Sequence, residues 1–198
     1  MNSGFTIFTG NANPTLAARI ARELGAQLSS CVVDRYPDGD VAVQLLDSVR
    51  RKEVFLVQPT SPPVNDHLVE LLALADACRR AGASRITAIV PFFGYGRADK
   101  RQGKRESIMA RVVADLLQVV GIGHIVTVDL HSPQIEGCFF HAPVDSLTAV
   151  PALSAGLCAI VCLPISSWYR RPSGAWGWQP VTRSSVLAPR LLCCTSNA

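Results

Sequence analysis

No apolar run in this 198-residue chain reaches the eighteen or so residues that a membrane-spanning helix needs. The segment Met-Asn-Ser-Gly-Phe-Thr-Ile-Phe-Thr-Gly at the start lacks a cationic stretch followed by a long apolar one, so no secretory leader and no membrane association are expected. The cysteines include no paired C-x-x-C sets: Cys31, Cys78 and Cys138 stand alone, and Cys193 and Cys194 are adjacent. That spacing argues against a disulfide framework or a zinc site and fits a reducing, cytoplasmic compartment. Charge is also scarce, at 17% of residues with a net +4. Beyond Pro151 there is no Asp, Glu or Lys, only Arg170, Arg171, Arg183 and Arg190. An ordinary segment of that length carries roughly twelve charges. The whole net charge therefore sits in the tail, and residues 1–150 are neutral. A neutral body with four scattered arginines excludes nucleic acid as an electrostatic partner.

What is present is an alternation of apolar runs and helical patterns up to residue 150. Phe5–Phe8 reads as a strand; Asn13-Pro14 caps a helix with Leu16, Ala17, Ile20 and Leu24 on one stripe, closed by Gly25. Leu28–Val33 and Val41–Leu46 are strand-like around a Pro/Gly/Asp turn at Asp34–Asp40. Val54–Val57 is a strand, and a helix from about Asn65 to Arg80 carries Leu68, Leu71, Leu72, Ala75 and Cys78 on its core side. Ile86–Val90 and Ile125–Leu130 are buried strands on either side of a helix over Ile108–Val120 that carries Val112, Val113, Leu116, Leu117 and Val120. Strands separated by such helices predict βαβ units and a mostly parallel sheet flanked by helices. After Pro151 the order fails: Leu157–Leu163 reads as a strand or short helix, and prolines then punctuate a stretch rich in Ser, Arg and Trp.

Three polar clusters follow predicted strands or turns. Arg35-Tyr-Pro-Asp-Gly-Asp40 is a tight turn in composition, yet its carboxylates and ring also suit an adenine amino group and a ribose. Pro91 to Ser107 holds Arg97, Lys100, Arg101, Lys104 and Arg105 against Asp99 and Glu106. Loops at the carboxyl ends of parallel strands bind ligands, and cations beside a ring suit a nucleotide. A solvated basic surface loop is the competing reading. Asp129 and His131, two apart at a strand end, point to the same side, where an oxygen and an imidazole suit a metal that carries phosphate. The competing reading is a helix-capping Asp and a backbone-bound His.

Taken in order, Arg35-Tyr-Pro-Asp-Gly-Asp, Pro62-Pro-Val-Asn-Asp-His-Leu-Val-Glu-Leu-Leu, Pro91-Phe-Phe-Gly-Tyr-Gly-Arg-Ala-Asp-Lys-Arg and Val128-Asp-Leu-His-Ser-Pro-Gln-Ile-Glu-Gly closely resemble ribose-phosphate pyrophosphokinase, also called phosphoribosyl pyrophosphate synthetase. The resemblance runs from about residue 5 through Ala142-Pro-Val-Asp-Ser-Leu-Thr-Ala-Val150. It implies two phosphoribosyltransferase-like α/β domains and transfer of the ATP diphosphate to ribose 5-phosphate, with Mg²⁺ as cofactor. Tyr36 would stack on adenine, and Asp38 and Asp40 would bind the base and ribose side of ATP held largely by a neighbouring subunit, so a homo-oligomer is implied. Arg97 would bind the ATP phosphates with Asp99 beside it. His131 would contact Mg-ATP, and Asp129 and Asp145 match the metal-associated signature.

Departures are visible too. Ala98 stands where many members have Gln, Cys138 looks inserted in Gly137-Cys-Phe-Phe, and His141 replaces a common Asp. The family's second domain brings a catalytic loop with essential Lys and Arg, an Asp-Asp strand end and a Thr-Gly-Gly-Thr phosphate loop; none of these is matched in this sequence. The expectation is a family N-terminal domain over residues 1–153 and an aberrant, poorly ordered tail over 154–198, with no catalytic residue of its own. A non-catalytic ATP-binding or regulatory subunit is the alternative. The tail resembles out-of-frame or intron-derived translation, a reading tested by sequencing the transcript across the codons for Val150 to Ile160.

Overall fold

A computed structural model describes residues 4–103, 105–160, 169–170 and 176–177. A first compact unit ends at Thr148 and a second begins at Ala149. In the first unit, β1 (Phe5–Thr9) leads to α1 (Pro14–Glu23), the antiparallel hairpin β2 (Cys31–Arg35) and β3 (Val41–Leu45), then β4 (Glu53–Val57). Next come α2 (Val64–Arg80), β5 (Arg85–Val90), α3 (Met109–Val119), β6 (His124–Val128), a 3₁₀ turn (Pro133–Cys138) and β7 (Val144–Leu147). The main sheet has the order β1-β4-β5-β6-β7 and every pairing in it is parallel. The predicted parallel sheet is therefore present, and β2–β3 stands outside it as a separate two-stranded ribbon.

Local chemistry accounts for the boundaries. Asn13 Oδ1 accepts from Leu16 N at 3.0 Å, and Pro14 opens α1 without wasting a donor. Gly25, at φ 63°, takes the left-handed turn that ends it. α2 buries Leu68, Leu71, Leu74, Ala75 and Cys78 against Val54, Leu56, Ile86, Ala88 and Val90. Each such large side chain contributes about 1.5–3 kcal/mol. α1 covers the opposite sheet face through Ala17 and Ala21, against Ile7 and Val57.

One expectation is corrected. Leu24 is exposed rather than in the α1 stripe, because it is already the C-cap residue. α3 buries Ala110, Val113, Ala114 and Leu117, whereas Val112 and Leu116 are exposed; the two alanines let the backbone approach the sheet and fix the helix rotation. Cys31 and Val33 pack against the main core from the hairpin.

The second unit opens with α4 (Val150–Ile160). The expected boundary after residue 153 falls inside this helix. Beyond it, only Tyr169–Arg170 and Trp176–Gly177 are described, as a short antiparallel pair; the rest of the expected poorly ordered tail lies outside the described residues.

Candidate functional site

β5 and β6 are neighbours, so the loops leaving their carboxyl ends meet. The β5 loop runs Pro91–Gly96 and on to Arg97; the β6 loop begins at Asp129. Together with Pro62 and Val64 they line a cavity of about 510 Å³ whose wall includes Phe93, Tyr95, Arg97, Asp129 and His131. A second cavity of about 430 Å³ shares Val64, Tyr95 and Arg97 and adds Asn65, Asp66 and Ala98. Arg97 and Tyr95 thus stand between two concave spaces.

The walls are held by close packing. Gly94 N donates to Thr60 Oγ1 at 2.6 Å, and Thr60 Oγ1 donates to Phe92 O at 2.9 Å. The Tyr95 hydroxyl donates to Asn65 Oδ1. A side chain on Gly96 would meet Phe93 O at 3.2 Å and His131 Cβ at 3.6 Å, so glycine permits the two loops to touch. Phe139 packs edge-on to Phe93 with centroids 6.0 Å apart, which braces the β5 loop from the segment after the 3₁₀ turn. Cys138 ends that turn, which Ser132 Oγ caps by accepting from Gln134 N at 3.2 Å. Tyr95 at φ 62° and Asp129 at φ 47° occupy the left-handed region. Strain of this kind costs about 1–3 kcal/mol per residue and gathers at functional loops.

Farther along the basic loop, Glu106 accepts from Gln102 N at 2.8 Å and Gly103 N at 2.9 Å. These two backbone donors hold its carboxyl below the usual glutamate range. Asp99 and Arg101 lie in this loop outside both cavity linings, and Lys104 lies outside the described residues.

Tyr36, Asp38 and Asp40 form the tip of the β2–β3 hairpin and line neither cavity. The tip is a closed turn: Tyr36 N donates to Asp40 O at 2.9 Å, Gly39 N to Tyr36 O at 2.8 Å, and Asp38 Oδ1 accepts from Asp40 N at 3.3 Å. Tyr36 is 60% exposed. Asp145 does not join Asp129 and His131. It stands opposite Val126 in the middle of β6, and its Oδ2 lies 2.8 Å from Nε2 of His124, the first residue of that strand.

A group absent from the expected site residues sits behind the hairpin. Glu70, 1% exposed, accepts from Gln58 Nε2 at 2.9 Å, Asn11 N at 3.2 Å, Asn11 Nδ2 at 3.4 Å and Arg35 Nη2 at 3.2 Å. Arg35 also pairs with Asp66 at 2.8 Å. The hydrogen bonds that Arg35 donates to Asp66 and then to Glu70 raise its pKa above the ordinary arginine value. The only local signal for this node is an acid among the apolar positions of α2.

A parallel sheet flanked by helices, with a concave polar site at the carboxyl ends of adjacent strands, defines a phosphoribosyltransferase-like α/β domain. The N-terminal domain of ribose phosphate pyrophosphokinase is matched over residues 5–121, and the chain belongs to that family. A ribose-phosphate pyrophosphokinase of Marinomonas sp. (strain MWYL1) is 48% identical over 152 residues, which cover 76% of this chain and 48% of the relative. One from Helicobacter pylori (strain ATCC 700392 / 26695) is 48% identical over 144 residues, 73% of this chain and 45% of the relative. The crystal structure of phosphoribosylpyrophosphate synthetase from Mycobacterium smegmatis superposes with a TM-score of 0.76 at 39% identity, covering 79% of this chain and 52% of that one. The chain spans about half the length of the relatives it matches. Among the described residues no helix is long and apolar enough to cross a membrane.

Proposed function

We propose that these residues form the nucleotide-binding half of a ribose-phosphate pyrophosphokinase site. The observation that supports this most is the convergence of Arg97, Asp129 and His131 on one cavity at the ends of β5 and β6. In this reading the guanidinium of Arg97 binds ATP phosphate oxygens, where a charge-assisted fork gives both affinity and orientation. Asp99 stands beside it on the loop. Tyr36, Asp38 and Asp40 serve the base and ribose of ATP held by a neighbouring subunit in a homo-oligomer, which fits an exposed ring on a tip that lines no cavity of its own chain.

The donor set fits magnesium. Among the described residues no three His, Cys, Asp or Glu side chains converge on a metal position, which argues against an ion caged by protein alone. Magnesium keeps several waters and takes one or two carboxylates plus substrate phosphates; Asp129 would supply the carboxylate on this cavity, with His131 on the same wall. Bound there, the ion would neutralise phosphate charge. Arg97 would hold the diphosphate in line, and the walls braced by Thr60 and Phe139 would fix the geometry, which is most of what phosphoryl transfer asks of a protein.

Neither the ribose 5-phosphate motifs nor the family's catalytic loop is matched in this sequence, so diphosphate transfer needs a second half from elsewhere. Nucleotide binding is the expected activity of these 198 residues. Isothermal titration with Mg-ATP tests this. Wild type should bind, and Arg97→Gln should weaken binding by about 10- to 100-fold, the loss of one or more charged hydrogen bonds. Absence of binding by a folded wild-type chain would refute the reading. AMP release from ATP and ribose 5-phosphate by the pure chain would refute its restriction to binding.

A further inference from the structure

We infer that Glu70 is a positioning residue for base recognition: a buried carboxylate that fixes the β2–β3 hairpin through Arg35 and Asn11 and so sets where Tyr36, Asp38 and Asp40 stand. The inference rests on the reading of those three residues as base-side contacts.

The geometry is directional. Arg35 is the last residue of β2, immediately before the tip. Its guanidinium spans two acids one helical turn apart on α2, with Nη1 on Asp66 at 2.8 Å and Nη2 on Glu70 at 3.2 Å. Asn11, in the loop after β1, donates through Nδ2 to Val33 O at 3.1 Å and to Glu70 Oε1 at 3.4 Å. The strand leading into the tip is therefore tied at Val33 and at Arg35, and both ties end on one carboxylate. Glu70 is itself held by Gln58, which is fully buried and also donates to His67 O at 3.3 Å. Four donors thus meet two oxygens, and a neutral acceptor cannot serve them all. A two-stranded ribbon outside the main sheet is marginally stable alone; Cys31, Val33, Val43 and Leu45 pack its body on the core, and these ties hold the end that carries the tip. Asp66 lines the smaller cavity but not the larger one that gathers Asp129 and His131, so loosening the clamp leaves the lining of the larger cavity in place.

The test compares Mg-ATP with Mg-tripolyphosphate, which carries phosphate and no base, on the full chain. Arg35→Gln changes a half-exposed residue and leaves the core intact; Glu70→Gln keeps shape but turns an amide donor toward donors. Both should lower ATP affinity about tenfold, the low end of what a base stacked on an aromatic ring contributes, and leave tripolyphosphate within about twofold. Arg35→Lys, a point charge that reaches one acid, should fall between. Hydrogen exchange at the Tyr36 and Gly39 amides should quicken in Arg35→Gln and Glu70→Gln. Equal losses for both ligands would mark a merely structural role and overturn the inference, as would unchanged exchange at the tip. If wild type shows no preference for ATP over tripolyphosphate, the base-side reading falls, and exchange at the tip alone judges the clamp.

Discussion

Replacing Gly94 by Ala should destabilise the domain and close its site together. An added Cβ would lie 2.6 Å from Val64 Cγ1, 2.8 Å from Thr60 O and 3.0 Å from Thr60 Oγ1. Val64 can rotate away, at about 0.5–1.5 kcal/mol for an unfavourable rotamer. The Thr60 carbonyl cannot rotate, because Thr60 N and Oγ1 both bond Phe92 O at 2.9 Å. Relief must come from moving the Phe92–Gly96 segment, which stretches the buried Gly94 N to Thr60 Oγ1 bond. Overpacking contributes about 1–3 kcal/mol and a buried donor losing its acceptor about 1–3 kcal/mol. A combined loss near 3 kcal/mol corresponds, for a chain of this size, to a fall in Tm on the order of 6–12 °C. Calorimetric or circular-dichroism melts read it directly, and titration should show weaker Mg-ATP binding because the displaced segment carries Tyr95 to the cavity wall. The double variant with Val64→Ala should recover only part of the loss, since the carbonyl contact remains. Gly39→Ala is the control: φ is 96° and nothing lies within 4 Å, so only backbone strain of about 1–2 kcal/mol enters. A Gly94→Ala protein melting within about 2 °C of wild type, less than 1 kcal/mol for this size, would refute the argument.

Two further outcomes follow from placement and charge. On α3, Val119→Lys at a 73% exposed position should leave stability within about 0.5 kcal/mol. Val113→Lys, at 1% exposure, should prevent a cooperative melt, because an unpaired charge would enter the core; equal effects would mean the helix is rotated otherwise. Glu106 has a folded pKa below its ordinary value, so its hold on the Gln102 and Gly103 amides is complete above the ordinary glutamate value. It is lost as pH falls through the lower, folded value. Amide chemical shifts of Gln102 and Gly103 should titrate together with that midpoint; a midpoint at or above the ordinary value would contradict the bonding.

The parallel sheet was legible because buried strands read as apolar runs, and Ile86–Val90 and Ile125–Val128 have almost no polar interruption. The rotation of α3 was not. Val112, Val113, Leu116, Leu117 and Val120 make an apolar arc too wide to point anywhere, and Ala110 and Ala114 decide the matter by size. β7 escaped notice because Val-Asp-Ser-Leu is short and half polar, and takes its strand form from pairing with β6. The loops bearing Arg97, Asp129 and His131 announced themselves by polar residues directly after strands. The Glu70 node had no such signature: its partners Asn11, Arg35 and Gln58 are distant in sequence and meet only in the fold. Asp145 shows the converse, since a signature in sequence does not fix which end of a strand a side chain serves.

The strand order has a consequence for assembly. Each strand after β1 joins the edge left by the one before it in the sheet, in the order in which the ribosome delivers them. No strand must insert between two already paired, and from β4 onward each new partner arrives after a single helix or turn. Loop-closure costs stay small under those conditions, and topologies rich in near contacts fold fast. The hairpin is different: Asn11 and Arg35 emerge long before Glu70, so the ribbon must wait, unanchored, until α2 is made.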